Sequence, residues 1–293
     1  MKMHLKKVYS ILPFKKEFFT LLKLVYKPKE DIYKHLHFKG IINVQVDNEH
    51  SFKIKHYGFE IENVIFWEGL QDGWEKVSIG LWIELCRRST IIVDVGANTG
   101  VYSLIAKSLN SNAQVYAFEP VKRVFEKLEA NNKLNDYNIK CYQQALSNSN
   151  GKAIIYDLPN TDHIYSVTVN KNIHDPDMET IKTEIETITL DIIIESEKIS
   201  KIDLIKIDVE THEAEVLEGF KKHLKEFSPT ILIEILNDEV GANVQKIVQD
   251  MDYLYFNIDE NAGIRQVDKI TRSDYYNYLL CNERVAKELN LIP

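Results

Sequence analysis

The feature that most constrains the fold of this 293-residue chain is a regular alternation of apolar strands and helical segments that starts near residue 90. Short β-branched runs alternate with longer segments of helical periodicity. This order is typical of a parallel sheet covered by helices on both faces. The predicted strands are 91–95, 114–118, 139–143, 203–209 and 230–235, and the predicted helices are 99–109, 120–134, 211–226 and 240–251.

Shorter elements are predicted on either side of the alternation. Residues 41–46 and 52–55 alternate with period two, which predicts a hairpin, and a helix is predicted around 74–87. Residues 150–190 interrupt the rhythm and are predicted to form a hairpin or flap on the sheet. The tail, 253–280, is predicted to form two further strands and a turn at Asn261-Ala262-Gly263.

Residues 1–40 form a basic arm on an acidic chain. Ten lysines against three acidic residues leave this arm at +7, whereas the rest of the chain sums to −15. Apolar clusters at helical spacing predict a pair of amphipathic helices, broken near Pro13 and ended by Pro28. Two interpretations stay open: peripheral contact of residues 1–40 with an anionic membrane, or packing on the acidic body or a partner subunit. We divide the chain into an extension, residues 1–72, and a cofactor-binding domain, residues 73–293.

Composition excludes several classes of protein. The apolar (44%) and charged (27%) fractions are those of an ordinary globular chain, and the net charge of −8 argues against a nucleic-acid partner. No run approaches the roughly 20 apolar residues of a membrane span, and no signal peptide is predicted. Three scattered cysteines fit thiols in a reducing compartment. A cytoplasmic location is predicted, with membrane association left open through the arm.

A glycine turn follows the first buried strand directly. Strand 91–95 runs into Gly96-Ala97-Asn98-Thr99-Gly100 and then into a helix. Such a turn lets a ligand approach the backbone at the strand's carboxyl end, where open α/β sheets bind ligands. Asn98 tolerates left-handed backbone angles. We therefore predict that Gly96, Ala97, Asn98 and Gly100 bind a cofactor.

The charge of nearby side chains and the spacing of the glycines indicate which cofactor this turn binds. The dinucleotide fingerprint is not met, because the glycines are at 96 and 100 and residue 103 is serine. No Lys-Ser/Thr pair follows the turn as in a phosphate loop. Asp94 would repel a pyrophosphate, but it favours the sulfonium and ammonium groups of S-adenosylmethionine. Glu119 ends the second strand about 20 residues later, where an acid accepts hydrogen bonds from ribose hydroxyls. Asp94, the glycine turn and Glu119 together predict S-adenosylmethionine.

Four motifs occur in order along the chain: Asp94–Gly100, Phe118-Glu119-Pro120, Gln144-Ala145-Leu146-Ser147 and Asp203–Glu210. Together they resemble the FkbM family of class I methyltransferases over residues 75–260. The resemblance implies a Rossmann-like, mostly parallel sheet of seven strands with one antiparallel edge strand, and S-adenosylmethionine-dependent O-methylation. It also implies that the segment Gln144–Leu146 lies beside the adenine. One departure is Thr211, followed by His212, where the family usually has glycine after Val-Glu.

The catalytic candidates follow the fourth and fifth strands: Asp208, Glu210, His212 and Glu234. A histidine suits proton abstraction near neutral pH; alternatively, His212 occupies the first turn of an exposed helix. Asp208 and Glu234 suit a divalent cation, or instead hold cofactor groups, and Asp208 is also predicted to bind the cofactor.

Three further acids and a lysine near these candidates receive supporting roles. Lys206 is predicted to pair with a carboxylate inside the sheet. Glu213 and Glu215 are predicted to be first-turn acids of a helix, with a catalytic role for Glu213 as the alternative. Glu75 is predicted to close over the methionine end of the cofactor.

The predicted function is S-adenosylmethionine-dependent O-methylation of a small-molecule or glycan substrate, at a hydroxyl of a carbohydrate or glycosylated metabolite. The carbohydrate follows from the family resemblance. Two alternatives stay open: a nicotinamide-dependent oxidoreductase, and a non-catalytic scaffold on a methyltransferase fold.

Overall fold

The structure is a computed structural model that describes residues 13–157 and 181–293. The described chain opens with helix α1 (Lys15–Val25) and the short helix α2 (Glu30–Tyr33). Strands β1 (Gly40–Gln45) and β2 (Ser51–His56) pair antiparallel, as predicted, and helix α3 (Glu60–Glu68) follows. The second helix of the predicted basic pair is therefore confirmed; the first lies outside the described residues.

The alternation predicted from residue 90 is confirmed. Each strand candidate of the sheet forms a strand, and helices connect the parallel ones. The remaining elements are, in chain order, α4 (Lys76–Arg87), β3 (Ile91–Val95), α5 (Val101–Leu109), β4 (Gln114–Phe118), α6 (Lys122–Leu134), β5 (Lys140–Tyr142), β6 (Ala145–Leu146), β7 (Gly151–Asp157), β8 (Ile181–Ile188), α7 (Leu190–Glu197), β9 (Leu204–Ile207), α8 (Glu213–Glu218), α9 (Lys221–Phe227), β10 (Thr230–Glu234), α10 (Asp238–Val248), β11 (Leu254–Asp259), β12 (Gly263–Val267), β13 (Asn277–Cys281) and α11 (Glu283–Glu288).

The central sheet has the strand order β12-β11-β13-β10-β9-β3-β4-β5. The five strands from β10 to β5 are parallel, and β13, β11 and β12 add to them by antiparallel pairing. The Rossmann-like α/β class is confirmed. The expected count of seven needs a correction to eight, because the tail forms three strands rather than two: the turn at Asn261–Gly263 joins β11 to an additional edge strand, β12. The antiparallel β13 is not an edge strand, since it lies between β10 and β11.

Both faces of the sheet are buried. Ile92 and Leu204 face one apolar cluster, and their neighbours Val93 and Ile205 face another. The first cluster also includes α4, α5 and apolar residues of the N-terminal extension, and the second includes α7 to α10. The extension therefore shares a core with one face of the sheet. The domain boundary after residue 72 stays a prediction.

One local prediction was wrong, and one helix was not predicted. The helix predicted over 211–226 is two short helices, α8 and α9, that meet at Gly219. A Cβ atom there would lie 2.0 Å from the carbonyl oxygen of Ser147, so only glycine allows this loop to pack so closely. Helix α7 was missed; the side chain of Thr189 caps it by accepting the N–H of Ile192.

The predicted flap is a small sheet beside the main one. Strands β7 and β8 pair antiparallel, and β6 pairs parallel with β8. The segment 158–180, between β7 and β8, lies outside the described residues. Among the described helices, none is long and apolar enough to cross a bilayer.

Candidate active site

A cavity of about 460 Å³ lies at the carboxyl ends of the parallel strands. Neighbouring parallel strands end at the same edge of a sheet, so their terminal side chains converge there. Helix α3 and Trp74 contribute a further wall, and the flap contributes Ile155 and Ile185. Gly100 is the one predicted site residue that does not line the cavity; those that do are Asp94, Gly96, Ala97, Asn98, Glu119, Pro120, Gln144, Ala145, Leu146, Asp208, Glu210, His212 and Glu234.

The turn after β3 depends on its residue types. Gly96 has a φ of 78°, and a Cβ atom there would lie 1.8 Å from the carbonyl oxygen of Asp208. Asn98 has a φ of 51°, and its side-chain oxygen accepts the N–H of Thr99 at 2.8 Å. At Gly100 a Cβ would lie 2.6 Å from Leu128, which explains its place outside the cavity wall. Gly100 serves the packing of the turn.

Glu119 joins this turn to the next strand. One oxygen of its carboxyl group accepts the N–H of Asn98 at 3.1 Å, and the other accepts the N–H of Val121 at 2.9 Å. Burial raises the pKa of Glu119 to about 7, against the lowering effect of these two hydrogen bonds. The carboxyl group therefore fixes the turn while it faces the cavity.

A buried lysine stands among carboxylates at the centre of the site. Lys206 Nζ lies 2.7 Å from Asp208 Oδ2 and 4.5 Å from the ring centroid of Tyr102. Burial opposes its charge, but the carboxylates of Asp208, Glu75 and Asp94 outweigh burial and raise the pKa of Lys206 above its usual value. The predicted pairing of Lys206 with a carboxylate is confirmed.

Asp94 and Glu75 flank this lysine. Asp94 Oδ2 accepts a hydrogen bond from Ser103 at 2.6 Å, while Oδ1 is buried without a hydrogen-bond partner in the described part of the chain. Glu75 accepts hydrogen bonds from Tyr102 at 2.6 Å and Asn277 at 3.0 Å. Burial raises the pKa of both acids. Asp94 thus offers an unused acceptor to a cationic ligand.

The turn after β9 is built differently. Glu210 and Thr211 both adopt left-handed backbone angles, with φ of 55° and 80°. Thr211 therefore takes the backbone angle that a glycine would adopt without strain. Glu213 is buried, and its Oε1 accepts the N–H groups of Val209 and Thr211, each at 3.2 Å. This carboxyl group holds the turn.

Glu213 was predicted as a first-turn acid, and it is one, as is Glu215. Its hydrogen bonds to the preceding turn were missed. The signal available in the sequence was the absence of glycine at position 211. Burial raises the pKa of Glu213 to about 8.

Glu234 lies beside Asp208 at the next strand end. Strands β9 and β10 pair with Ile207 opposite Ile233, so the residues that follow are neighbours. Burial, and then the carboxylates of Asp208 and Glu210, raise the pKa of Glu234 to about 10. Glu234 therefore carries its proton at neutral pH.

His212 lies on another side of the cavity. Its Nε2 is 3.0 Å from the hydroxyl of Ser147, the residue that follows Gln144–Leu146. Burial lowers the pKa of His212, against the raising effect of Glu215 and Glu218. The imidazole is therefore neutral at pH 7, on the same wall as the segment predicted to contact adenine.

Asp208 and Glu234 were predicted as possible metal ligands, and the described part of the chain adds no third protein ligand to them. Over residues 13–157 and 181–293, no group of three or more His, Cys, Asp or Glu side chains is arranged to hold a metal ion. The metal role of Asp208 and Glu234 therefore stays a prediction. We derive no step through a metal.

Comparison with known proteins identifies the family. A model of the methyltransferase FkbM domain matches residues 94–263. Hexuronic acid methyltransferase AglP of Haloferax volcanii is 30% identical over 176 residues, which cover 60% of this chain and 68% of AglP. Methyltransferase sdnD of Sordaria araneosa is 29% identical over 188 residues, which cover 55% of this chain and 73% of sdnD.

Solved structures resemble the chain more distantly. The crystal structure of methyltransferase FkbM from Methylobacillus flagellatus is 17% identical, with a TM-score of 0.43, over 66% of this chain and 43% of that one. The family match covers more than half of the chain, and it favours a methyltransferase over the nicotinamide-dependent oxidoreductase left open above. The chain belongs to the FkbM family of S-adenosylmethionine-dependent methyltransferases.

Proposed function

We propose that this enzyme methylates a hydroxyl oxygen of a carbohydrate or a glycosylated small molecule. The observation that carries the proposal is the pair Asp208, which contacts Lys206, and Glu234, whose pKa is raised by burial, at the same edge of the cavity as Asp94 and the glycine turn. A hydroxyl acceptor must lose a proton during methyl transfer, so its site needs a proton acceptor.

The residues at the glycine turn fit the cofactor. The unpartnered Oδ1 of Asp94 suits a cationic group, and the carboxyl group of Glu119 retains acceptor capacity for ribose hydroxyls. The wall formed by Pro120, Ala145 and Leu146 is apolar enough to contact an adenine ring. When bound, S-adenosylmethionine supplies an electrophilic methyl group on a sulfonium sulfur.

We assign the proton transfer to Asp208. Lys206 orients its carboxylate through a 2.7 Å contact, which leaves the second oxygen for the acceptor hydroxyl. During methyl transfer, this oxygen would take the proton of the acceptor hydroxyl. The protonated Glu234 donates a hydrogen bond to an oxygen of the acceptor, which orients it. His212 contacts Ser147 on the Gln144–Leu146 wall, so its position favours a role at the cofactor.

A carbohydrate acceptor fits the polar character of this edge and the named activity of one relative. Sugars present adjacent hydroxyl groups that can donate to one carboxyl group and accept from another. The relative AglP is named as a hexuronic acid methyltransferase. These two points support a sugar hydroxyl over an aromatic acceptor.

Calorimetry with S-adenosylhomocysteine tests the cofactor-binding part of the proposed function. We expect Glu119→Ala to weaken binding roughly tenfold or more, because hydrogen bonds to a charged group contribute about 1.5–3 kcal/mol. Glu119→Gln, which keeps an acceptor for the turn, should lose less. The exposed Glu126→Ala on helix α6 is the matched control and should bind as the parent does. Equal affinities in all four proteins would refute the ribose assignment.

Methylation assays with sugars test the part of the proposed function that concerns the methyl acceptor. The parent enzyme is incubated with S-adenosylmethionine and a panel of neutral, acidic and amino hexosides, and mass spectrometry detects O-methylated product. Asp208→Asn should reduce kcat about 100-fold or more, as expected for loss of a general base, while S-adenosylhomocysteine still binds. The exposed Asp250→Asn is the control. An enzyme that binds the cofactor but methylates no hexoside would disprove the carbohydrate assignment.

A further inference from the structure

The outer face of α1 is an apolar stripe that the rest of the described chain leaves uncovered. Helical spacing brings its large side chains to one side, beginning at the N-cap residue. Soluble proteins seldom group exposed apolar side chains in this way. The outer stripe consists of Phe14 (76% exposed), Phe18 (62%), Leu21 (66%), Leu24 (78%) and Val25 (84%).

The opposite face of α1 is fixed to the body. Phe19 is 4% exposed and its ring lies 5.5 Å from that of Trp67 and 6.1 Å from that of Phe38. Lys23 donates a hydrogen bond to the carbonyl oxygen of Phe66. Because the inner face is anchored at these points, the outer stripe points away from the described part of the protein.

The charge around the stripe is positive. Lys15 and Lys16 open the helix, and Lys27, which pairs with Glu68, and Lys29 follow it, while Glu17 is the one acid within α1. The whole arm, residues 1–40, carries +7 on a chain whose remaining residues sum to −15. An exposed apolar face with lysines around it is the pattern of a helix that lies in the interface of an anionic bilayer.

A second copy of the chain fits this surface poorly. Two stripes facing each other would bring two arms of +7 together, which repel. A stripe docking elsewhere would need an apolar patch to receive it. The described residues outside α1 and its flanking turn offer single exposed apolar side chains on separate elements: Ile32, Ile41, Ile154, Ile192 and Tyr276.

We propose that α1 seats the enzyme on an anionic lipid surface, with the outer stripe among the upper acyl chains and the lysines at the headgroups. Helix α3 connects α1, the proposed lipid-binding helix, to the cavity. Its residues Phe66 and Trp67 pack on α1, and its Glu60, Ile61 and Val64 line the cavity. Binding of α1 to the lipid surface would thus set the orientation of the cavity relative to that surface through helix α3.

Sedimentation of the full-length protein with lipid vesicles tests the proposal. Vesicles of phosphatidylcholine with about 30% phosphatidylserine should bind the protein, and vesicles of phosphatidylcholine alone should bind it weakly. High salt should release it, because the lysine–headgroup attraction is screened. Protein that stays in the supernatant with the anionic vesicles would overturn the proposal.

Two sets of substitutions locate the binding surface. The triple variant Phe18→Gln, Leu21→Gln, Val25→Gln should lose about tenfold or more of the vesicle affinity. The control pair Ile154→Gln, Ile192→Gln makes the same kind of change at exposed positions elsewhere and should bind vesicles as the parent does. Unchanged S-adenosylhomocysteine affinity shows that each variant is folded.

A triple variant that binds vesicles as well as the parent would overturn the proposal. So would light scattering that finds a dimer in the parent and a monomer in the triple variant, since the stripe would then bind a second copy. If the triple variant fails to fold, Lys15→Gln, Lys16→Gln decides the matter: it should bind anionic vesicles more weakly and lose part of the salt dependence. Unchanged binding of that pair would reject the lipid contact.

Discussion

Two turns meet at the floor of the cavity, and they reach similar backbone shapes by different means. The turn after β3 places left-handed angles at Gly96, Asn98 and Gly100, residue types that adopt them readily. The turn after β9 places them at Glu210 and Thr211, which adopt them at a cost. The first shape is encoded locally. The second is imposed by the buried Glu213, which accepts two N–H groups of the turn.

Of the substitutions in the two turns, we expect the one at Gly96 to change the free energy of unfolding most. Gly96→Ala would place a Cβ atom 1.8 Å from the Asp208 carbonyl oxygen at a φ of 78°. We expect the free energy of unfolding to fall by about 3 kcal/mol or more, because overpacking and a left-handed alanine both oppose the fold. Urea denaturation of the purified variant measures this loss.

Gly80→Ala is the control for that substitution. Gly80 lies within helix α4 with open space around its Cβ position, so alanine should stabilise the protein by about 0.5–1 kcal/mol. If Gly96→Ala unfolds at the same urea concentration as the parent, the turn after β3 is less constrained than the structure indicates.

The second effect concerns Glu213. Glu213→Ala leaves the N–H groups of Val209 and Thr211 without their acceptor, so the free energy of unfolding should fall by about 2 kcal/mol. Glu213→Gln keeps a carbonyl oxygen for these groups and should lose less. Chemical denaturation at pH 6 compares the two. Equal losses would show that the hydrogen bonds do not hold the turn.

Glu213 should also make stability depend on pH. Its folded-state pKa of about 8 lies above the ordinary value of 4.5, so the folded protein holds the proton more tightly than the unfolded chain does. The contribution is complete below pH 4.5 and is lost as pH rises through 8. Glu213→Gln does not ionise, so its stability relative to the parent should increase between pH 5 and pH 8. The exposed Glu226→Gln should follow the parent at every pH; a parallel curve for Glu213→Gln would contradict the assignment.

The difference between the turns also explains which parts of the site could be predicted from sequence. Gly96, Asn98 and Glu119 were identifiable because residue type and spacing alone encode a strand, a glycine turn and an acid. The role of Glu213 was not, because it depends on a side chain returning to amides that precede it in the chain. The eighth strand, β12, was not predicted for a similar reason, because strand pairing along the tail depends on tertiary context more than on local pattern.

The smallest effects come from exchanging glycine into each turn. Thr211→Gly removes a β-branched residue from a φ of 80° and a hydroxyl that is buried without a partner among the described residues. We expect a gain of about 0.5–1 kcal/mol, reduced by the flexibility of glycine in the unfolded chain. Asn98→Gly should change stability by less than about 0.5 kcal/mol, because the loss of its hydrogen bond to Thr99 offsets the relief of a mild strain. Paired thermal unfolding curves give both values. A destabilised Thr211→Gly would show that the threonine side chain, and not Glu213 alone, holds the second turn, and the two turns would then differ less than their residue types imply.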